Sequence, residues 1–172
     1  RDPGRRGAGH PGRAGQACDG LTPPGATAWR RAAATAALPN RSGLIMRVLL
    51  IEDDVLVRGA LSDALADDGV EVDGLSNAED ALILLGAGQV PDVLVSDVNL
   101  GAGLSGFDLA DIARERHPDV EVILISGSAP EATGFAARRH ERFLQKPFAP
   151  DDLVAAVRDA ADEAERDAAA AR

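Results

Sequence analysis

From residue 46 onward, hydrophobic residues gather into short unbroken runs: Val48-Leu49-Leu50-Ile51, Val93-Leu94-Val95-Ser96, Val122-Ile123-Leu124-Ile125 and the briefer Phe143-Leu144-Gln145. Runs without polar alternation read as strands covered on both faces, as parallel strands are. Between them, apolar residues recur at helical spacing. The first such segment predicts a helix from about Asp54 to Asp67, with Val57, Leu61, Ala64 and Leu65 on one face and Gly69 as its stop. A short strand near Val70 to Val72 leads to Ser76-Asn77-Ala78-Glu79, a cap for a helix carrying Ala81, Leu82, Leu84 and Leu85. Pro91 opens the next strand. A helix from Phe107 to Arg116 ends at His117-Pro118, a weaker one covers Pro130 to Arg139, and a long one runs from Pro150 to Ala168 with Leu153, Val154, Val157 and Ala161 on one stripe. Strands alternating with helices in this way predict a βα repeat around a parallel sheet.

What each strand delivers at its carboxyl end changes the picture from fold to chemistry. The first strand ends in Glu52-Asp53, the third in Asp97, the fourth in Ser126 and the fifth in Lys146-Pro147. Open α/β sheets bind ligands in the crevice outside these ends, and in the doubly wound order 2-1-3-4-5 the first and third strands are neighbours across the switch point. Glu52, Asp53 and Asp97 would then crowd together, a conflict that a hard cation such as Mg²⁺ relieves. Asp97 is placed to act as a carboxylate nucleophile toward a phosphoryl group. Lys146 would neutralise the phosphoryl oxygens from the side away from the metal. Ser126 could donate its hydroxyl to a phosphoryl oxygen only once the group is present, which is the logic of a switch. Each piece has a plain alternative: Asp53 or Asp54 as a helix cap, Asp97 as a loop acid, Lys146 as a solvated charge, Ser126 as a structural hydroxyl. The four together, in chain order, favour the functional reading.

Composition narrows the setting. With 172 residues, 45% hydrophobic, the chain supports one core, and 3% aromatics with no Tyr means that core is built from Val, Ile, Leu and Ala. The net charge of −10 is unevenly spread: residues 1 to 45 hold seven Arg against Asp2 and Asp19, so the remainder is near −15. An acidic body repels nucleic-acid backbones, so direct nucleic-acid binding is not expected. The single Cys18 lies in the basic leader, which fits a reducing, cytoplasmic setting, and no run is long enough for a membrane span. Residues 1 to 45, rich in Gly, Pro, Arg and Ala, are expected to be disordered; because Met46 is the only methionine and directly precedes the first strand, they read as upstream sequence or a linker more than as a targeting arm. The folded unit is then residues 46 to 172, with nothing after the last helix long enough for an output domain.

The motifs Ile51-Glu52-Asp53-Asp54, Ser96-Asp97-Val98-Asn99-Leu100, Ile125-Ser126-Gly127 and Gln145-Lys146-Pro147-Phe148 together resemble the response regulator receiver domain of two-component signalling, over about Met46 to Asp162. The resemblance implies a flavodoxin-like (βα)₅ fold with strand order 2-1-3-4-5. It implies Mg²⁺ as cofactor and Asp97 as acceptor of a phosphoryl group from a sensor histidine kinase or histidine phosphotransfer protein. It further implies Glu52 and Asp53 as the metal-binding acid pair, the Asn99 backbone carbonyl as a ligand, Ser126 as the switch hydroxyl and Phe143 as the aromatic that moves with it. Asn99 and Ser128 take places that tune attack by water. Phe143, lacking a hydroxyl, is expected to be mostly buried. The loop after Asp97 departs from the usual pattern: Gly101-Ala102-Gly103 replaces a Pro-containing turn and is one residue longer, which predicts a more flexible loop. Arg138, Arg139, His140 and Arg142 read either as a solvated helix end or as a docking patch for an acidic partner, and His117 and His140 receive no role.

The reading that follows is a phosphorylation-controlled switch, not an enzyme in its own right, acting on a downstream protein the sequence does not name, with homodimerisation left open. Two alternatives stand beside it. A receiver cut from a hybrid histidine kinase would share the chemistry. An Asp-nucleophile phosphatase would differ in class, but those hydrolases carry Asp-x-Asp after the first strand, whereas Asp97-Val98-Asn99 follows the third and lacks the second acid.

Overall fold

In the computed structural model, which describes residues 45–170, the apolar runs become the strands of one sheet. The expected leader and its Cys18 lie, Ile45 apart, outside the described residues. In chain order the elements are β1 (Arg47–Ile51), α1 (Val55–Asp67), β2 (Glu71–Leu75), α2 (Ala78–Gly86), β3 (Val93–Asp97), α3 (Gly106–Arg116), β4 (Glu121–Ser126), α4 (Pro130–Thr133), β5 (Glu141–Gln145) and α5 (Pro150–Ala170). All neighbouring strands are parallel and their order is β2-β1-β3-β4-β5. The doubly wound α/β fold expected from the sequence is the one observed.

Alternation along each strand splits the core into two layers. Leu49, Ile51, Leu94, Val122 and Leu124 face α2 and α3, which answer with Ala81, Leu84, Leu85, Leu109 and Ala113. Val48, Leu50, Val93, Val95, Ile123 and Ile125 face α1 and α5, which supply Leu61, Leu65, Leu153 and Val157. Enclosing each such aliphatic side chain is worth roughly 1.5–3 kcal/mol, so strands β1, β3 and β4, buried on both sides, fix the register of the whole sheet. That register sets Ile51 beside Ser96, Asp97 beside Ile125, and Ser126 beside Gln145. The residues that follow the strands therefore emerge along one edge.

Helix starts are fixed by side-chain caps. Asp54 accepts from the N–H groups of Leu56 and Val57 at 2.8 and 3.1 Å, Asn77 caps α2 through Asp80, and Ser105 with Asp108 forms a reciprocal capping box on α3. These two donors to Asp54, Val57 first, hold its carboxyl below the usual aspartate range.

The structure departs from the sequence expectation in two elements. β2 runs to Leu75 rather than stopping at Val72, because pairing with all five residues of β1 outweighs the poor strand propensity of Asp73 and Gly74. α4 is a single turn rather than a helix reaching Arg139. Gly134 adopts φ 74° and returns its N–H to Pro130 O, and Phe135 N–H bonds the same carbonyl at 3.1 Å, which closes the turn.

Candidate functional site

At the carboxyl edge, β1 is followed by Glu52, which folds inward and is only 2% exposed. Asp97 closes β3 and is 7% exposed. Lys146, which follows β5 and precedes a cis bond to Pro147, extends its ammonium between these two acids. It donates to Glu52 Oε2 at 2.9 Å and makes a shorter bond to Asp97 Oδ2. Strands separated by 94 and 49 residues in sequence are thus joined by one cation.

Burial raises the Glu52 pKa, and the Lys146 hydrogen bond and charge only partly offset that rise. For Lys146, burial works against the charge, yet its bonds to Asp97 and Glu52 outweigh it and hold the ammonium above the ordinary lysine range. The cation is firmly charged, and it faces two acids.

Asp97 is oriented from its own loop. Asn99 N–H donates to Asp97 Oδ1 at 2.8 Å, so one carboxylate oxygen is held by backbone and the other by Lys146. The β3–α3 loop, expected to be flexible, is fastened at several points: Val98 and Leu100 are buried, Gly106 N–H bonds Val98 O at 3.0 Å, and Leu104 N–H reaches Glu79 Oε1 at 3.1 Å. Gly106 is a site residue that the sequence reading passed over. A Cβ there would lie 2.2 Å from Asp97 O, so only glycine lets α3 start against the Asp97 backbone. Its signal in the sequence was its position one residue after the Ser105 cap.

Asp53 is exposed, and the site of a Cβ on Gly101 lies 3.5 Å from its Oδ2, so this carboxylate faces the loop that follows Asp97. The three acids do not close into one cage; among the described residues no group of three His, Cys, Asp or Glu side chains is gathered tightly enough to form a metal cluster by itself. Ser126 is fully buried, its Oγ accepts from Ser128 N–H at 3.1 Å, and its carbonyl accepts from Lys146 N–H at 2.7 Å, which ties the ends of β4 and β5 together. Phe143 is half-buried rather than mostly buried. It lies on the edge strand, with its ring 5.1 Å from that of Phe135, and the one-turn α4 leaves that side partly open.

Of the four basic residues, Arg138 and Arg139 are exposed after the short α4, whereas His140 is buried and Arg142 half-buried, and all four have acidic partners. Arg138 pairs with Asp111 at 2.8 Å and Arg139 with Asp167 at 2.8 Å. His140 Nδ1 lies 2.6 Å from Glu121 Oε1, and Arg142 reaches Glu121 Oε2 at 2.9 Å while also binding Glu163. Glu121, fully buried at the start of β4, is the partner that the sequence concealed.

A five-stranded parallel sheet in this order, with the Asp97 carboxylate, an inward acid and a lysine at the switch point, defines a receiver architecture. The sequence profile of the response regulator receiver domain matches residues 48–158, and the chain belongs to that family. It is 34% identical over 110 residues to the nitrogen assimilation regulatory protein NtrX of Azorhizobium caulinodans, covering 62% of this chain and 24% of that protein. It is 38% identical over 114 residues to the response regulator protein FleR of Pseudomonas aeruginosa, covering 63% and 24% respectively. The chain spans about a quarter of the length of these relatives. A crystal structure of a response regulator receiver protein from Sinorhizobium medicae superposes with a TM-score of 0.65 at 26% identity, over 70% of this chain and 97% of that one. No helix among the described residues is long and apolar enough to cross a membrane.

Proposed function

We propose that this receiver accepts a phosphoryl group on Asp97 from a phosphohistidine of a sensor kinase or phosphotransfer protein and thereby changes a protein-contact surface. The observation that carries the reading is the Lys146 ammonium shared between Asp97 and Glu52. An Asp97 carboxylate oxygen attacks phosphorus, an O–P bond forms, and the P–N bond breaks with its electron pair returning to the donor imidazole. Lys146, already at Asp97, meets the charge on the transferred oxygens.

Mg²⁺ fits the donor set, since it takes one or two carboxylates and leaves its other positions to water and phosphate. Asp53, Asp97 and the Asn99 carbonyl would hold it, with Glu52 behind them. Bound there, it supplies charge neutralisation for the phosphoryl oxygens. Ser126 Oγ accepts from Ser128 N–H, which leaves its own proton to donate to a phosphoryl oxygen, and half-buried Phe143 is the aromatic that would move with it. Val55 and Leu56, 66% and 80% exposed in the first turn of α1 beside Asp53, give the donor protein an apolar foothold.

Incubation with Mg²⁺ and a small phosphodonor tests the reading. One acid-stable, base-labile phosphoryl per chain is expected, absent in Asp97→Asn with the fold intact. Labelling of that variant would remove Asp97 as acceptor, and rapid turnover of diverse phosphate esters would make the protein a hydrolase instead.

A further inference from the structure

Arg58, on the second turn of α1, makes contacts that the proposed chemistry does not use. Its Nη1 donates to the backbone carbonyl of Glu52 at 2.5 Å and, more weakly, to that of Asp53 at 3.4 Å. Its aliphatic stem lies across β2 at Gly74, where a Cβ would sit 3.3 Å from both Cγ and Cδ of Arg58 and 3.5 Å from Ser62 Oγ. On the other side, Glu52 N–H bonds Leu75 O at 3.1 Å. The peptide before Glu52 is therefore held by β2 and the peptide after it by Arg58.

That peptide decides where Asp53 points. A peptide unit is planar, so fixing the Glu52 carbonyl restricts ψ of Glu52 and φ of Asp53 together. The Asp53 carboxylate has no hydrogen-bond or ion-pair partner among the described residues, so its direction rests on this backbone alone. Glu52 is held by Lys146 from its side-chain end and by Arg58 from its carbonyl. Gly74 is the opening through which the Arg58 stem reaches the turn. A side chain there would press on the stem, which would have to shift by a few tenths of an ångström and carry the guanidinium with it.

We infer that Arg58 is a positioning residue that sets the Glu52-Asp53 pair for the divalent cation, and that Gly74 is the bare position on β2 that admits it. The inference rests on the proposed Mg²⁺-dependent acceptor function. Outer groups that orient ligands commonly change metal affinity by about 10–100-fold; a backbone carbonyl contact belongs at the lower end.

The test titrates wild type, Arg58→Met, Arg58→Lys and Gly74→Ala with Mg²⁺ alone by calorimetry, beside labelling by a small phosphodonor at low and saturating Mg²⁺. Arg58→Met keeps the stem but loses the donor, and should weaken Mg²⁺ binding about tenfold. Arg58→Lys should restore most of the affinity, and Gly74→Ala should lose part of it. At saturating Mg²⁺ each variant should label at close to the wild-type rate. Wild-type affinity in Arg58→Met, or an equal labelling defect at low and saturating Mg²⁺, overturns the inference. Should Arg58→Met fail to fold, wild-type affinity in folded Gly74→Ala overturns it. A wild type that neither binds Mg²⁺ nor takes label overturns the acceptor function and this inference with it; a labelled wild type with unaltered variants overturns this inference alone.

Discussion

The two ends of the sheet each bury a glutamate against cations, and they do it for opposite purposes. At the carboxyl end, the Glu52 carboxylate has one cation among the described residues, Lys146, which it must share with Asp97, while exposed Asp53 stands nearby. At the amino end, Glu121 is fully enclosed and has two partners of its own, His140 and Arg142. Arg142 and His140 then reach Glu163 and Asp167 on the far half of α5. At the first end one ammonium serves two carboxylates, an arrangement that favours a further cation and is the ground for the proposed Mg²⁺. At the second the charges are satisfied within the chain, and the result is an anchor for α5. Residue types alone do not separate a binding site from a brace; the pattern of pairing does.

The comparison is broken most sharply at Lys146. Replacing it by Met leaves Glu52 and Asp97 without their shared cation, and phosphodonor labelling should fall by about 10²–10³-fold, the usual cost of losing one preorganised charge at a reacting group. Labelling kinetics at saturating Mg²⁺ measure this, and a loss under tenfold would make Lys146 part of the scaffold only.

Glu121→Ala tests the opposite end. Removing one member of a buried ion pair strands its partners, though Arg142 keeps Glu163, so a loss of about 2–3 kcal/mol in urea-induced unfolding is expected, with labelling per folded chain unchanged. A labelling defect without instability would show that the two ends communicate.

Asp73 gives a smaller effect and a third case, a buried acid with no cation bonded to it among the described residues. Its Oδ2 has no hydrogen-bond partner, and burial, aided by Glu71 and opposed by Arg47, raises its pKa to about 6. Because the folded value lies above the unfolded one, its protonated form favours folding below about pH 4. That contribution is lost as pH rises through about 6. Asp73→Asn should remove roughly 1–2 kcal/mol of this pH dependence, read as unfolding midpoints at pH 4 and pH 7; identical slopes in both proteins would count against it.

How much of this was legible in the sequence follows from the range of the forces involved. Apolar runs such as Val93-Leu94-Val95 announce strands because burial on both faces leaves a local signature, and acids directly after such runs announce the sheet edge. Glu121 was hidden because it opens a strand as any solvated residue would, and its partners lie 19 and 21 residues away. The length of β2 and the shortness of α4 were set by pairing with β1 and by Gly134, against local propensity in the first case and beyond it in the second. Arg58 reads as an ordinary helix-surface charge until β2 brings Gly74 beneath its stem.

Glu52, Asp53 and Asp54 look like a redundant stretch of negative charge, but the turn gives each a separate trade: the first faces Lys146, the second faces Gly101, and the third closes the start of α1. None can stand in for its neighbour, since adjacent side chains leave the backbone in different directions. An insertion or deletion of a single residue here would keep the charge and the composition nearly intact, yet dismiss all three workers at once. What the turn conserves is a phase, not a quantity of acid.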